Sequence, residues 1–330
     1  MRRELALFCA LMAAGLILAA TPHVCAQIPP ATLAQANAAL QAGEADKAIT
    51  LLAPLPTSGP GAAEAQNLLC RVHFTLQQWE PATRECEQAV RLSPGNSNNH
   101  LWLGRALGGK AEHVSFLTAY SLGKRVRAEF EEAVRLDPHN AAALSDLGEF
   151  YKEAPGIVGG GTDKAASVAD RLDKIDSARA HQLRGYIAET RKDFGSAERE
   201  FRQAIATGIR PAAQWVNLAI FYRNRHRWSE MEAAVQSCAN TATHERNSGV
   251  ALYDGAGILI ETNRNPAFAA KMLESYLASP AKAEEAPAFI AHGRLGRLKQ
   301  QMGDAGGAKR EFAAAYALAH AYRPPQDSRH

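Results

Sequence analysis

The feature that most constrains this chain is a periodic pairing of small residues. A small residue recurs at Ala36, Cys70, Gly104, Gly148, Gly185, Ala219, Gly257 and Gly296, at intervals of 34, 34, 44, 37, 34, 38 and 39 residues. A second series follows it at Ala48, Ala82, Val126, Ala165, Ala197, Met231, Ala269 and Ala308. Around the second series the pattern small, large, small is regular, as in Ala197, Phe201, Ala204 and Ala308, Phe312, Ala315. Each interval holds two runs with apolar residues three and four apart, the mark of two amphipathic helices. Trp215, Leu218, Ala219 and Tyr222 make one such stripe. No alternating Val/Ile/Thr run suggests a strand. One helix pair cannot bury its apolar face, but a stack of pairs can.

These residues resemble the tetratricopeptide repeat (TPR), a helix-turn-helix unit of 34 residues. The resemblance covers about residues 29 to 322 and implies an all-α, TPR-type α-solenoid, a right-handed superhelix of about eight units. The expected units are 29–62, 63–96, 97–140, 141–177, 178–211, 212–249, 250–288 and 289–322. In that family the first helices line a concave groove that takes peptides or other protein segments. Carrying the groove positions over gives Asn67, Arg71 and Phe74, then Asn98, Leu101 and Arg105, then Glu149 and Lys152. Later units give Arg179, Gln182, Tyr186, Val216, Ile220, Arg223, Asn224 and Arg297. Arg71 and Arg105 stand one unit apart and are expected to reinforce a local positive field for a carboxylate or acidic peptide. They depart from the family's carboxylate-clamp pattern.

Two places break the period. The third unit carries ten extra residues, and proline-free Lys110 to Leu136 predicts a continuous long helix or a short helix running into it. A projecting element bordered by Arg125 and Arg127 would grip a partner; packing on a neighbouring unit is the alternative. The fourth unit replaces its tight turn with residues 154–164, which hold Gly159, Gly160 and Gly161. Thr162 is expected there as an N-cap, but Asp163 and the missing Gly-Lys-Ser/Thr ending speak against a phosphate loop. This loop is also similar to one in TPR-like periplasmic accessory proteins of TRAP-type solute transporters. A ligand-capturing or accessory role in solute uptake is therefore the alternative to a scaffold.

The N-terminus reads as an address. Arg2 and Arg3 precede an apolar run from Leu5 to Ala20, then Pro22 and a small-residue site ending at Ala26. This predicts a signal peptide over 1–26, and hence a periplasmic or secreted protein with no membrane span after cleavage. The mature chain then keeps Cys70, Cys86 and Cys238. Cys70 and Cys86 fall on the two helices of one unit, where small-residue packing and a disulfide both remain open. Residues 323–330 read as a disordered tail.

Other chemistry is not signalled. The balance of 37 Lys+Arg against 34 Asp+Glu excludes a strongly basic nucleic-acid binder. No His-Glu-x-x-His, Gly-x-Ser-x-Gly or Cys-x-x-Cys occurs. His73, His181 and His292 occupy positions that face neighbouring helices. The expectation is a non-enzymatic scaffold of the cell envelope, without cofactor or metal, that binds a protein or peptide.

Overall fold

The computed structural model describes residues 27–245 and 248–323. The predicted signal peptide and all but the first residue of the expected tail lie outside them. Among these residues sixteen α-helices follow in eight antiparallel pairs. They are α1 (Pro30–Ala42) with α2 (Ala45–Leu52), α3 (Ala62–Thr75) with α4 (Trp79–Leu92), and α5 (Ser97–Ala111) with α6 (Phe116–Leu136). Next come α7 (Ala141–Glu153) with α8 (Thr162–Leu172), α9 (Ser177–Thr190) with α10 (Phe194–Ala206), and α11 (Pro211–Asn224) with α12 (Trp228–Ala242). The last pairs are α13 (Gly249–Glu261) with α14 (Pro266–Ala278) and α15 (Ala288–Gln301) with α16 (Ala305–Leu318). No strand occurs among the described residues. The fold is a TPR-type solenoid of paired helices.

The turns explain the regularity. In five pairs the two helices are joined through one left-handed residue, at Gly43, Gln77, Lys192, His226 and Gly303, and in the seventh through two, Asn263 and Asn265. The third pair lacks it, and in the fourth a left-handed Gly159 sits inside a longer connection. Side-chain caps start several helices: Asn96, Asn140, Asp176, Asp193, Asn265 and Asp304 each accept a backbone N–H. Each such cap is worth about 1 kcal/mol.

Within a pair, the small residue of the first helix receives a large one from the second. A Cβ on Gly185 would stand 2.8 Å from the Phe201 ring, and Gly104 meets Phe130 and Gly296 meets Phe312 in the same way. Each of these pairs also carries a histidine four residues before the glycine and a glutamate just before the phenylalanine. The results are His100–Glu129, His181–Glu200 and His292–Glu311, each 2.7 Å. In the second pair Cys70 takes the glycine's place and Cys86 the phenylalanine's. Their Cα atoms are 5.2 Å apart and the two form a disulfide. Cys238 is a buried free thiol.

The insertions resolve differently from one continuous helix. Residues 112–115 form a break, with Ser115 extended, and α6 runs 21 residues, or about 32 Å at 1.5 Å per residue. The extra length is thus shared between α5 and α6. The glycine-rich segment is a short 3₁₀ turn (Gly156–Val158) whose Val158 is buried and lies against Gly123 of α6. Thr162 is the first helical residue rather than the cap, which falls at Gly161 without a side-chain bond.

The array closes on itself. First helices of successive pairs touch one another from α1 to α13, so they lie on the inner radius, while second helices face outward. At the seam α16 meets α2. Phe289 and Ala319 are buried in one apolar cluster with Ile28, Leu33, Ala36 and Leu40. Gly43 at the end of α1 abuts Ala288 at the start of α15 so closely that a Cβ there would stand 2.4 Å from the Ala288 nitrogen. Asp46 pairs with His320. The two ends are therefore joined by an apolar contact and by hydrogen bonds.

Candidate functional site

The inner face is built by one helical face of each first helix. Its basic residues are mostly spent on carboxylates of the chain itself. Arg71 makes a bidentate contact with Glu284, from Nε at 2.9 Å and Nη2 at 2.6 Å. Gln41 Nε2 donates to the same carboxylate at 3.2 Å. Glu284 comes from the loop between α14 and α15 and is buried. Arg105 pairs with Asp146 at 2.6 Å from Nε, and Arg223 with Glu261 at 2.5 Å. Arg71 and Arg105 also sit over the Trp102 ring, 5.3 and 4.6 Å from its centroid. The expected free positive field of Arg71 and Arg105 is thus corrected: each guanidinium is neutralised internally, and Arg71 fastens the seam.

The other expected groove residues divide. Leu101 and Val216 are not groove residues, because both are buried in the core between successive helices. Asn67 is buried, and its Nδ2 has no hydrogen-bond partner among the described residues. Phe74 packs edge-on against Trp79 and Trp102. Asn98 is exposed and accepts from Asn140 at 3.2 Å. Arg179 donates to Ser145 at 3.1 Å across to the preceding pair. Gln182 is half-buried one turn before Tyr186, and Arg297 is exposed on α15.

Five of the expected residues converge. Glu149, Lys152, Tyr186, Ile220 and Asn224 line one partly open pocket of about 400 Å³ between α7, α9 and α11. Glu153, Glu189 and Thr190 complete it. Glu153, Glu189 and Thr190 were not among the expected positions. Glu189 and Thr190 follow Tyr186 by three and four residues, so they share its helix face, and that spacing is the signal that finds them.

The pocket is rich in carboxylates. Lys152 Nζ lies 2.9 Å from Glu153 and 4.9 Å from the Tyr186 centroid. Among the described residues Glu189 accepts only the Asn224 amide, at 3.2 Å. Tyr186 is anchored by its hydroxyl, which donates to Asn217 at 3.1 Å. Glu149 reaches the solvent inside the ring but is hemmed in by the surrounding helices. That desolvation, reinforced by Asp146, pushes its carboxyl up to about 7 against the pull of Lys152. Among the described residues no three His, Cys, Asp or Glu side chains are grouped to hold a metal. No described helix is long and apolar enough to cross a membrane.

No protein-family model matches the chain. Superkiller complex protein 3 of Mus musculus is 30% identical over 135 residues, which is 39% of this chain and 8% of that protein. The chain therefore spans only a small part of that relative's length. A thermophilic TPR protein of Thermus thermophilus is similar in structure with a TM-score of 0.45 and 17% identity, over 53% of this chain and 89% of that one. A tetratricopeptide repeat protein of Parabacteroides merdae gives a TM-score of 0.47 and 12% identity, over 82% and 98%.

Proposed function

We propose that this chain is a non-enzymatic scaffold that is exported and holds a partner protein by an extended segment laid along its inner face. The observation that carries this reading is the pocket between α7, α9 and α11. Successive first helices there leave about 400 Å³ of polar, partly open space on the concave side. A partly open polar site suits a side chain of a passing segment; an apolar solute favours an enclosed, mainly apolar pocket. That contrast favours the scaffold over a solute-capturing role. The signal-like residues 1–26 and the Cys70–Cys86 disulfide support export, since disulfides persist in oxidising compartments.

Site-specific photo-crosslinking in the native cell tests the reading. A crosslinking residue at Tyr186 is expected to trap one discrete protein, and one at outward-facing Arg135 none. Equal trapping at both positions contradicts the inner face as the binding surface. The mature N-terminus is expected at Gln27; a chain retaining Met1 in the cytoplasm contradicts export.

A further inference from the structure

Along the inner face, the cationic residues of α3, α5 and α11 each have a carboxylate partner. Arg71 has Glu284, Arg105 has Asp146 and Arg223 has Glu261. The pocket between α7, α9 and α11 departs from this rule. It holds three carboxylates, Glu149, Glu153 and Glu189, and one ammonium, Lys152. Lys152 is committed to Glu153 at 2.9 Å. Glu149 has no hydrogen bond or ion pair among the described residues, and Glu189 has only a neutral amide.

The remaining walls match a cation on an aliphatic stem. The Tyr186 ring already holds the Lys152 ammonium 4.9 Å from its centroid, and an aromatic face attracts cations through its quadrupole. The hydroxyl bond to Asn217 fixes that ring. Ile220 gives an apolar surface along which methylenes can lie. The volume equals roughly a dozen waters at ~30 Å³ each, room for a long side chain and its remaining hydration.

We infer that this pocket receives a lysine or arginine side chain of the bound segment. The inference rests on the scaffold reading. An acidic segment would meet unpaired carboxylates there. A basic side chain supplies the missing counter-charge and displaces or joins Lys152 at the Tyr186 face.

The test uses the mature chain at 0.15 M salt, where contacts beyond about 8 Å are screened. Fluorescence anisotropy measures binding of labelled hexalysine, hexaglutamate and hexa(acetyl-lysine). Hexalysine is expected to saturate and the other two are not. The double variant Glu149→Gln, Glu189→Gln is expected to weaken hexalysine binding at least about tenfold with unchanged helical content. Lys152→Ala, which vacates the ring face, is expected to strengthen it. Equal hexalysine affinity for the wild type and the double variant overturns the pocket. Free 1,4-diaminobutane binding as tightly as hexalysine overturns the peptide source. A random peptide library separates this proposal from the scaffold reading. Selected peptides without basic residues, bound equally by the double variant, overturn the pocket and leave the scaffold. No selected peptide at all overturns both.

Discussion

Replacing Glu284 with alanine loads the joint at which the chain's two ends meet. The carboxylate is 7% exposed and takes two bonds from Arg71, at 2.9 and 2.6 Å, and one from Gln41 at 3.2 Å. Arg71 is itself only 17% exposed in its side chain. Removing one partner of a fully buried pair costs about 3–5 kcal/mol, because the other charge stays desolvated. Here the Trp102 face and residual water soften that penalty, so about 2–3 kcal/mol is expected. In a stacked array each joint mainly affects its neighbours. The loss is therefore expected as local opening of both termini. Urea denaturation gives the total, and hydrogen exchange gives its location. Faster exchange is expected in α1 and α15, with α9 to α12 unchanged. The double variant Arg71→Ala, Glu284→Ala is expected to be less damaged than the sum of its singles. A Glu284→Ala protein within about 0.5 kcal/mol of wild type, with unchanged exchange at both ends, refutes the reasoning.

Three further outcomes are expected. Replacing both Cys70 and Cys86 with serine removes a 16-residue loop closure, worth about 3 kcal/mol in urea denaturation; no loss would mean that the bond constrains nothing. Gly185→Ala drives a Cβ to 2.8 Å from Phe201 and is expected to cost about 1–3 kcal/mol; Gly108→Ala, with nothing within 4 Å, is expected to be neutral or stabilising by up to about 1 kcal/mol. Glu149 has a folded-state pKa raised to about 7, so folding favours its protonated form, and that contribution is full below about 4.5 and lost as pH rises through about 7. Its charged neighbours are Asp146, Lys152 and Glu153 on α7, Arg105 on α5 and Glu189 on α9. Glu149→Gln is expected to be more stable than wild type at pH 8, by on the order of 1 kcal/mol after discounting for solvent screening, with the gap closing below pH 5. A gap independent of pH contradicts that assignment.

The helix pairs were legible because their signal is local. Small residues at one period and apolar residues at helical spacing are written within each 34-residue stretch. The Gly185–Phe201 contact and the His181–Glu200 pair follow from that same spacing. The seam was not legible. Glu284 and Arg71 are 213 residues apart, and no pattern within a unit announces a partner in another. That is why Arg71 and Arg105 read as a free positive field until their carboxylates were located. Leu101 illustrates a second limit. Groove and core positions on an inner helix are about one residue apart in register, and a helix rotation of ~100° exchanges them. The pocket was partly legible: Glu149, Lys152, Tyr186, Ile220 and Asn224 stood at the groove positions carried over from the resemblance, while Glu153 joins them because it follows Glu149 by four residues on the same face of α7.

Closure is what turns a concave groove into an enclosed inner face, so the distance between the ends is the most direct measurement. Spin labels at Lys47 on α2 and Tyr316 on α16 both sit at exposed positions beside the Asp46–His320 contact. Packed helix axes lie about 8–10 Å apart, so with the label arms a single distance of roughly 20–30 Å is predicted by double electron–electron resonance. An open stack of eight pairs would spread the ends to on the order of 60 Å or more at the same spacing. A single short distance supports the closed array, and a broad distribution centred at the longer value contradicts it.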